Sequence, residues 1–248
     1  MRYNYLIKLE YRGTDFEGWQ IQAKGRTVQG MVSDCISRFA RQKVNLIGAG
    51  RTDSGVHALG QYANFLLSDA PKPSEIKYRL NKMMPDDIVV HSCRIVQQAF
   101  NSRRDARSRT YRYLISEKLS AMNVNFSWII GKRLDISMLN EMAAKIRNSI
   151  HFENFCKVKS RKVSNDCFIH NARWSRHGGF LRFEISANRF LHNMVRLLVG
   201  TMVAVENGKM KIDKFHELFN LNMDAKTKHI APACGLYLVD VDYEGING

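Results

Sequence analysis

A chain of 248 residues with 45% hydrophobic side chains and only 4 prolines can bury a sizeable core and is too apolar to remain disordered. Its 38 Lys and Arg against 23 Asp and Glu leave a formal charge of +15, which favours a polyanionic partner. Nucleic acid comes ahead of an anionic membrane, because the basic residues are dispersed and no basic amphipathic helix stands out.

In chain order, residues 3–11 set Tyr3, Tyr5, Ile7, Leu9 and Tyr11 on one face, the period-two pattern of a strand. After the turn-rich "RGTDFEGWQIQAKG", Val28, Met31, Val32, Cys35, Ile36, Phe39 and Ala40 recur at helical spacing, with Thr27 as N-cap. "VNLIGA" and "QYANFLL" follow as strands. "SEIKYRLNKMM" is a helix opened by Ser74 and closed before Pro85, and "IVVHSCRIV" is another strand. The order is βαββαβ, the ferredoxin-like arrangement.

The second half repeats that order. "RTYRYLIS" is a strand, and "ISMLNEMAAKIRNSI" a helix with Met138, Leu139, Met142, Ala143 and Ile146 on its face. "CFIHNARWSR" and "FLRFEISAN" pair around His177, Gly178 and Gly179. A helix over "RFLHNMVRLLVGTMVAVE", a short one over "DKFHELFNL" and a strand over "GLYLVDVDY" complete the chain. The expected fold is α+β: two ferredoxin-like halves, residues 1–103 and 104–248, with mixed or antiparallel sheets flanking a central cleft. The opening "MRYNYLIKLEYRG" lacks a signal-peptide core, and the longest apolar tract, "MVRLLVGTMVAV", is too short for a bilayer and holds Arg196. Five cysteines without a CxxC pair suit reduced thiols in the cytoplasm. Eight histidines form neither HExxH nor a zinc-deaminase signature, so no metal is expected.

Candidate chemistry centres on "GAGRTDSGVHALGQ", residues 48–61. A dinucleotide fingerprint would need glycine where Asp53 stands and a helix afterwards, whereas a strand follows. One alternative is an Asx-type turn made by Asp53 and Ser54. The other is catalysis. Arg51 can keep the carboxylate ionised, the glycines let a substrate approach the backbone, and a lone ionised carboxylate suits a nucleophile.

In "RRDARSRTYRYLI", Arg103, Arg104, Arg107, Arg109 and Arg112 interleave with Tyr111 and Tyr113, joining phosphate neutralisation to base stacking. A strand with one solvated basic face would give the same pattern. "KVKSRK", Lys157 to Lys162, is a second basic cluster, either an RNA contact or a solvated loop. Arg196 stands among Met194, Val195, Leu197 and Leu198, so its guanidinium either meets a carboxylate, for which Asp53 would serve, or snorkels to solvent. His57 and His192 read as hydrogen-bonding residues.

Together these segments resemble the tRNA pseudouridine synthase A family over nearly all of the chain. "YRGTDFEGWQ", "GRTDSGVHALGQ", "SRTYRY", "NRFLHNMVRLLVG" and "GLYLVDVDY" carry the resemblance, the second almost residue for residue. It implies that Asp53 is the nucleophile with Arg51 beside it, that Arg196 pairs with Asp53, that Tyr111 stacks on the target uracil, and that Leu236 packs in the base pocket. It also implies a cytoplasmic homodimer without a cofactor, converting uridine to pseudouridine at positions 38, 39 or 40 of the tRNA anticodon stem-loop. The sequence departs from the family at Arg12, usually acidic, at Ser102, usually alanine, and at "SNDC" before the "FIHNARW" strand. "ENFCK" is also unlike the commonest bacterial form. Two rivals are an RNA-binding module without catalysis, which lacks the RNP aromatics and leaves the Asp53 loop unexplained, and a dinucleotide-dependent enzyme.

Overall fold

The computed structural model describes residues 2–157, 166–220 and 226–246, arranged in two compact units. One comprises Met1–Arg107 with Tyr237–Gly248, the other Ser108–Leu236.

The first unit contains β1 (Tyr3–Tyr11), α1 (Val28–Ala40), β2 (Ile47–Gly48), β3 (His57–Leu67), α2 (Pro73–Met83) and β4 (Ile88–Val96). The expected βαββαβ order holds. β1 lies between β3 and β4, antiparallel to both. Its burial is therefore not the one-sided alternation the sequence suggests, and Leu6 is as buried as Tyr5 and Ile7. Thr27 caps α1 by accepting the Gly30 N–H at 3.3 Å, and Val28, Val32, Cys35 and Ile36 form its buried face. α2 opens one residue earlier than expected because Pro73 takes the first helical position, where its missing N–H costs nothing. β3 begins at His57, so the last residues of the "GAGRTDSGVHALGQ" segment are strand, not loop.

The second unit contains β5 (Ala106–Ser116), whose first residues belong to the other unit, β6 (Trp128–Ile129), α3 (Ile136–Arg147), β7 (Ile169–His177), β8 (Phe180–Ala187), α4 (Met194–Glu206) and α5 (Ile212–Glu217). β8 lies between β5 and β7, antiparallel to both, while the short β6 runs parallel to β5. Gly178 and Gly179, at φ +59° and +83°, form the two-residue turn of the β7–β8 hairpin, which requires left-handed backbone at both positions. Asp135 caps α3 by accepting the N–H groups of Ser137 and Met138. α4 is the most buried helix described. It starts five residues later than expected, because Asn193 adopts the left-handed region at φ +64° and leaves 189–193 outside the helix.

The last strand, β9 (Leu236–Tyr243), was expected to belong to the second half. From Tyr237 onward it groups with the first unit, where it pairs in parallel with β3, His57 opposite Tyr237 and Ala58 opposite Leu238. Gly60 makes that contact possible: a Cβ there would stand 2.5 Å from the Val239 carbonyl oxygen.

Candidate active site

In the first unit, the turn bearing Asp53 is held from outside by the segment joining β1 to α1. The Trp19 N–H donates to the Thr52 carbonyl at 3.1 Å, and the Gly55 N–H donates to the Phe16 carbonyl at 3.3 Å. The Ser54 hydroxyl also donates to Phe16 O, at 3.2 Å. Tyr11 and Thr52 share a hydrogen bond between their hydroxyls at 2.7 Å, and the Gly13 N–H donates to His57 Nδ1 at 3.1 Å. The turn itself closes through Val56 N–H to Asp53 O, with Gly55 at φ +77°.

The glycines that looked like ordinary turn residues allow two backbones to touch. A Cβ on Gly13 would lie 2.0 Å from Val56 O, and one on Gly18, at φ +90°, would lie 2.6 Å from Thr52 O. The bracing segment is fixed in turn by Arg26, which stands 4.1 Å over the Phe16 ring and makes two hydrogen bonds to the buried Asp87 carboxylate, at 2.6 and 2.9 Å. On this frame Asp53 is half-buried, with Thr52 and Val56 buried on either side, and Arg51 is exposed. Arg51 makes no ion pair among the described residues, so its influence on the carboxylate is not a direct contact here.

In the second unit, Tyr111 lies on β5, Arg196 on α4 and Leu236 at the start of β9. Tyr111 lies on β5 opposite Ile185, 8% exposed, with its ring edge-on to Phe190 at 5.0 Å. Phe190 belongs to the stretch expected to be helical, which lies ahead of the observed start of α4. Arg196 is half-buried on α4 and ties the helix to the segment before β9. Its Nε donates to Ala231 O at 2.9 Å, the Ala231 N–H returns a bond to Arg196 O at 3.0 Å, and Nη1 donates to Asn193 Oδ1 at 3.3 Å. That segment continues to Pro232, whose carbonyl accepts from the Tyr113 hydroxyl at 2.8 Å, and to Gly235, where a Cβ would stand 2.6 Å from the Tyr113 ring. Leu236 follows, 5% exposed. Burial pushes the Tyr113 hydroxyl well above its ordinary value and raises the Cys234 thiol, in both cases against the cationic pull of Arg196.

The arginines read as RNA contacts differ among themselves. Arg103 is exposed. Arg104 is exposed but bonds Asp105 Oδ1 at 3.3 Å, and Arg107 pairs with Glu244. Arg109 is half-buried and donates to the Asn188 carbonyl at 2.8 Å, a structural bond. Arg112 faces Glu184 at 3.2 Å, a carboxylate it shares with Arg182. Of the second basic cluster only Lys157 is described; residues 158–162, and Ser164 and Asn165 of the "SNDC" run, lie outside the described residues. Among the described residues no cluster of three or more His, Cys, Asp or Glu could hold a metal ion, and no helix is long and apolar enough to cross a membrane.

The family profile of the tRNA pseudouridine synthases matches residues 8–105 and 149–244. The chain belongs to this family. Relatives named tRNA pseudouridine synthase A include one from Chlorobium luteolum, 37% identical over 241 residues that cover 97% of this chain and 95% of the relative. Another, from Thermoanaerobacter sp., is 36% identical and covers 97% and 99%; a third, from Parabacteroides distasonis, is 37% identical and covers 96% and 95%. As a pseudouridine synthase the protein is an isomerase, and the mixed α+β architecture agrees with that family's fold. The profile's two stretches take in Arg51, Asp53, Arg196 and Leu236, and Tyr111 falls between them.

Sequence reasoning missed Tyr11 and Thr52, which meet beside Asp53 in the first unit, and Phe190 and Asn193, which contact Tyr111 and Arg196 in the second. Thr52 sits inside the quoted motif and Tyr11 ends a strand, but they lie 41 positions apart and nothing local pairs them.

Proposed function

We propose that this pseudouridine synthase acts on tRNA, converting uridine to pseudouridine at position 38, 39 or 40 of the anticodon stem-loop with Asp53 as nucleophile. The observation that carries this reading is Asp53 itself: a half-exposed carboxylate on a turn whose backbone is braced on both sides, in a chain collinear over nearly its whole length with relatives named tRNA pseudouridine synthase A. A nucleophile held by backbone hydrogen bonds loses little freedom when it attacks, so positioning is built into the fold.

The target uridine first leaves its stack, at a cost of about a few kcal/mol offset by phosphate contacts elsewhere on the RNA. Arg103, Arg104, Arg107 and Arg109 are the residues proposed for those contacts. The bond between uracil N1 and ribose C1′ then breaks with the help of the Asp53 carboxylate. It does so either by addition of Asp53 to C6 of the base, the carboxylate being eliminated again at the end, or by loss of the ribose C2′ proton as the base departs. The second route leaves a glycal that regains that proton when C5 attacks C1′. The base turns, C5 bonds to C1′, C5 releases its hydrogen as a proton and N1 regains one. Atoms and electrons balance without a cofactor. Tyr111 stacks on the uracil, Leu236 walls the base pocket, and Arg196 pairs with Asp53 while Arg51 adds positive potential from the rim. The active form is proposed to be a cytoplasmic homodimer.

Asp53→Ala tests the assignment with tRNA carrying tritium at uracil C5. Tritium release is expected to stop while RNA affinity stays at the wild-type level. Continued release from that variant would overturn the nucleophile assignment.

A further inference from the structure

We infer that Tyr11 is a positioning residue for the isomerisation, acting on Asp53 through the hydroxyl of Thr52. This rests on the reading of Asp53 as nucleophile. Tyr11 is the last residue of β1, 3% exposed, and its ring packs against Trp19 at 6.2 Å. Its hydroxyl meets the Thr52 hydroxyl at 2.7 Å, and Thr52, 7% exposed, immediately precedes Asp53.

Several further bonds to this turn use backbone atoms or lie in solvent. Trp19 N–H to Thr52 O and Gly55 N–H to Phe16 O are backbone bonds, and Gly13 uses its N–H to reach His57. Ser54 reaches Glu17 at 3.4 Å in an exposed position, where water can replace it. Tyr11–Thr52 joins two side chains out of reach of water. A buried hydroxyl pair adds little net stability over an apolar pair of the same shape. What it adds is direction. The Trp19 bond fixes the Thr52 carbonyl, and the Tyr11 bond fixes the side chain of the same residue. With both in place the peptide leading into Asp53 has one orientation, and so does the vector along which the carboxylate leaves the chain. In this scheme Tyr11 acts through Thr52.

The test compares Tyr11→Phe, Thr52→Val and Thr52→Ser with wild type, measuring kcat, KM, RNA affinity and thermal midpoint. Tyr11→Phe and Thr52→Val are each expected to lower kcat by about tenfold, the effect of one lost buried hydrogen bond on an alignment that matters only in the transition state. KM and RNA affinity stay at the wild-type values. The double variant Tyr11→Phe with Thr52→Val loses no more than either single change, because one bond is removed in all three. Thr52→Ser keeps the hydroxyl and restores kcat. If Tyr11→Phe does not fold, the Thr52 pair carries the same test alone. The inference is overturned if kcat in Thr52→Val remains within about twofold of wild type, less than one such bond should cost. It is also overturned if Thr52→Ser is as impaired as Thr52→Val, which would make the methyl packing the cause. Turnover by Asp53→Ala would instead defeat the nucleophile assignment, whereas an inactive Asp53→Ala beside a fully active Tyr11→Phe defeats the positioning role alone.

Discussion

Asp53 stands on a turn tied to a neighbouring segment by backbone and side-chain hydrogen bonds. Its turn is short of internal bonds and borrows them from residues 11–19, so a change in that segment is expected to reach the carboxylate without touching it. Gly18→Ala places a Cβ 2.6 Å from the Thr52 carbonyl oxygen at a backbone angle that side chains rarely adopt. It is expected to lower stability by roughly 1–3 kcal/mol and to lower kcat with it, read by urea melts and by tritium release. Arg196 offers a second check. Its Nε and Nη1 reach Ala231 and Asn193 in a planar fork that lysine cannot reproduce. Arg196→Lys, with its charge intact, is expected to lose at least about tenfold in kcat, and wild-type turnover would remove Arg196 from the site. The motif around Asp53 was legible in the sequence because its residues are consecutive. The partners that brace it were not, because hydrogen bonds across 41 positions leave no local pattern.

Among the elements, the second unit shows how far a helical pattern can mislead. "RFLHNMVRLLVG" has apolar residues at helical spacing throughout, yet Asn193 turns left-handed and the helix starts behind it. Local periodicity cannot register that Phe190 meets the ring of Tyr111, far from it in the chain. Gly235 is the element-scale counterpart of Gly18. Gly235→Ala would press on the Tyr113 ring and is expected to cost about 1–3 kcal/mol of stability, measurable as a fall in thermal midpoint. Glu117 supplies a pH-dependent joint. Burial raises its carboxyl, but the Arg176 guanidinium, bonded at 3.0 and 3.1 Å, and the Leu134 N–H outweigh burial and hold it below the usual carboxylate range. A depressed folded-state value means the stabilisation is present above the unfolded carboxylate value and is lost as pH falls through the folded one. Glu117→Gln is therefore expected to be less stable than wild type near neutral pH, and the gap should close in acid. A gap that does not change with pH would show that the ion pair contributes nothing.

For the whole molecule, the +15 charge is the property that composition alone makes plain, and several arginines already face carboxylates: Arg26 with Asp87, Arg107 with Glu244, Arg176 with Glu117. The remaining excess is what an RNA backbone would meet. RNA affinity is expected to fall steeply and log-linearly with salt, because each neutralised phosphate releases counterions. An affinity that hardly changes with salt would contradict binding through phosphate contacts.

The sequence by itself determined the βαββαβ series of the first unit, the excess of positive charge and the family, since each is written in periodicity, composition or consecutive motifs. Tertiary structure decided where α4 begins, which unit receives β9 and what holds Asp53 still. Those outcomes depend on contacts between residues far apart in the chain, on a single left-handed asparagine and on glycines whose value lies in the backbone they allow to come near. A linear pattern records which residues are apolar or charged, but not which distant atom each will meet.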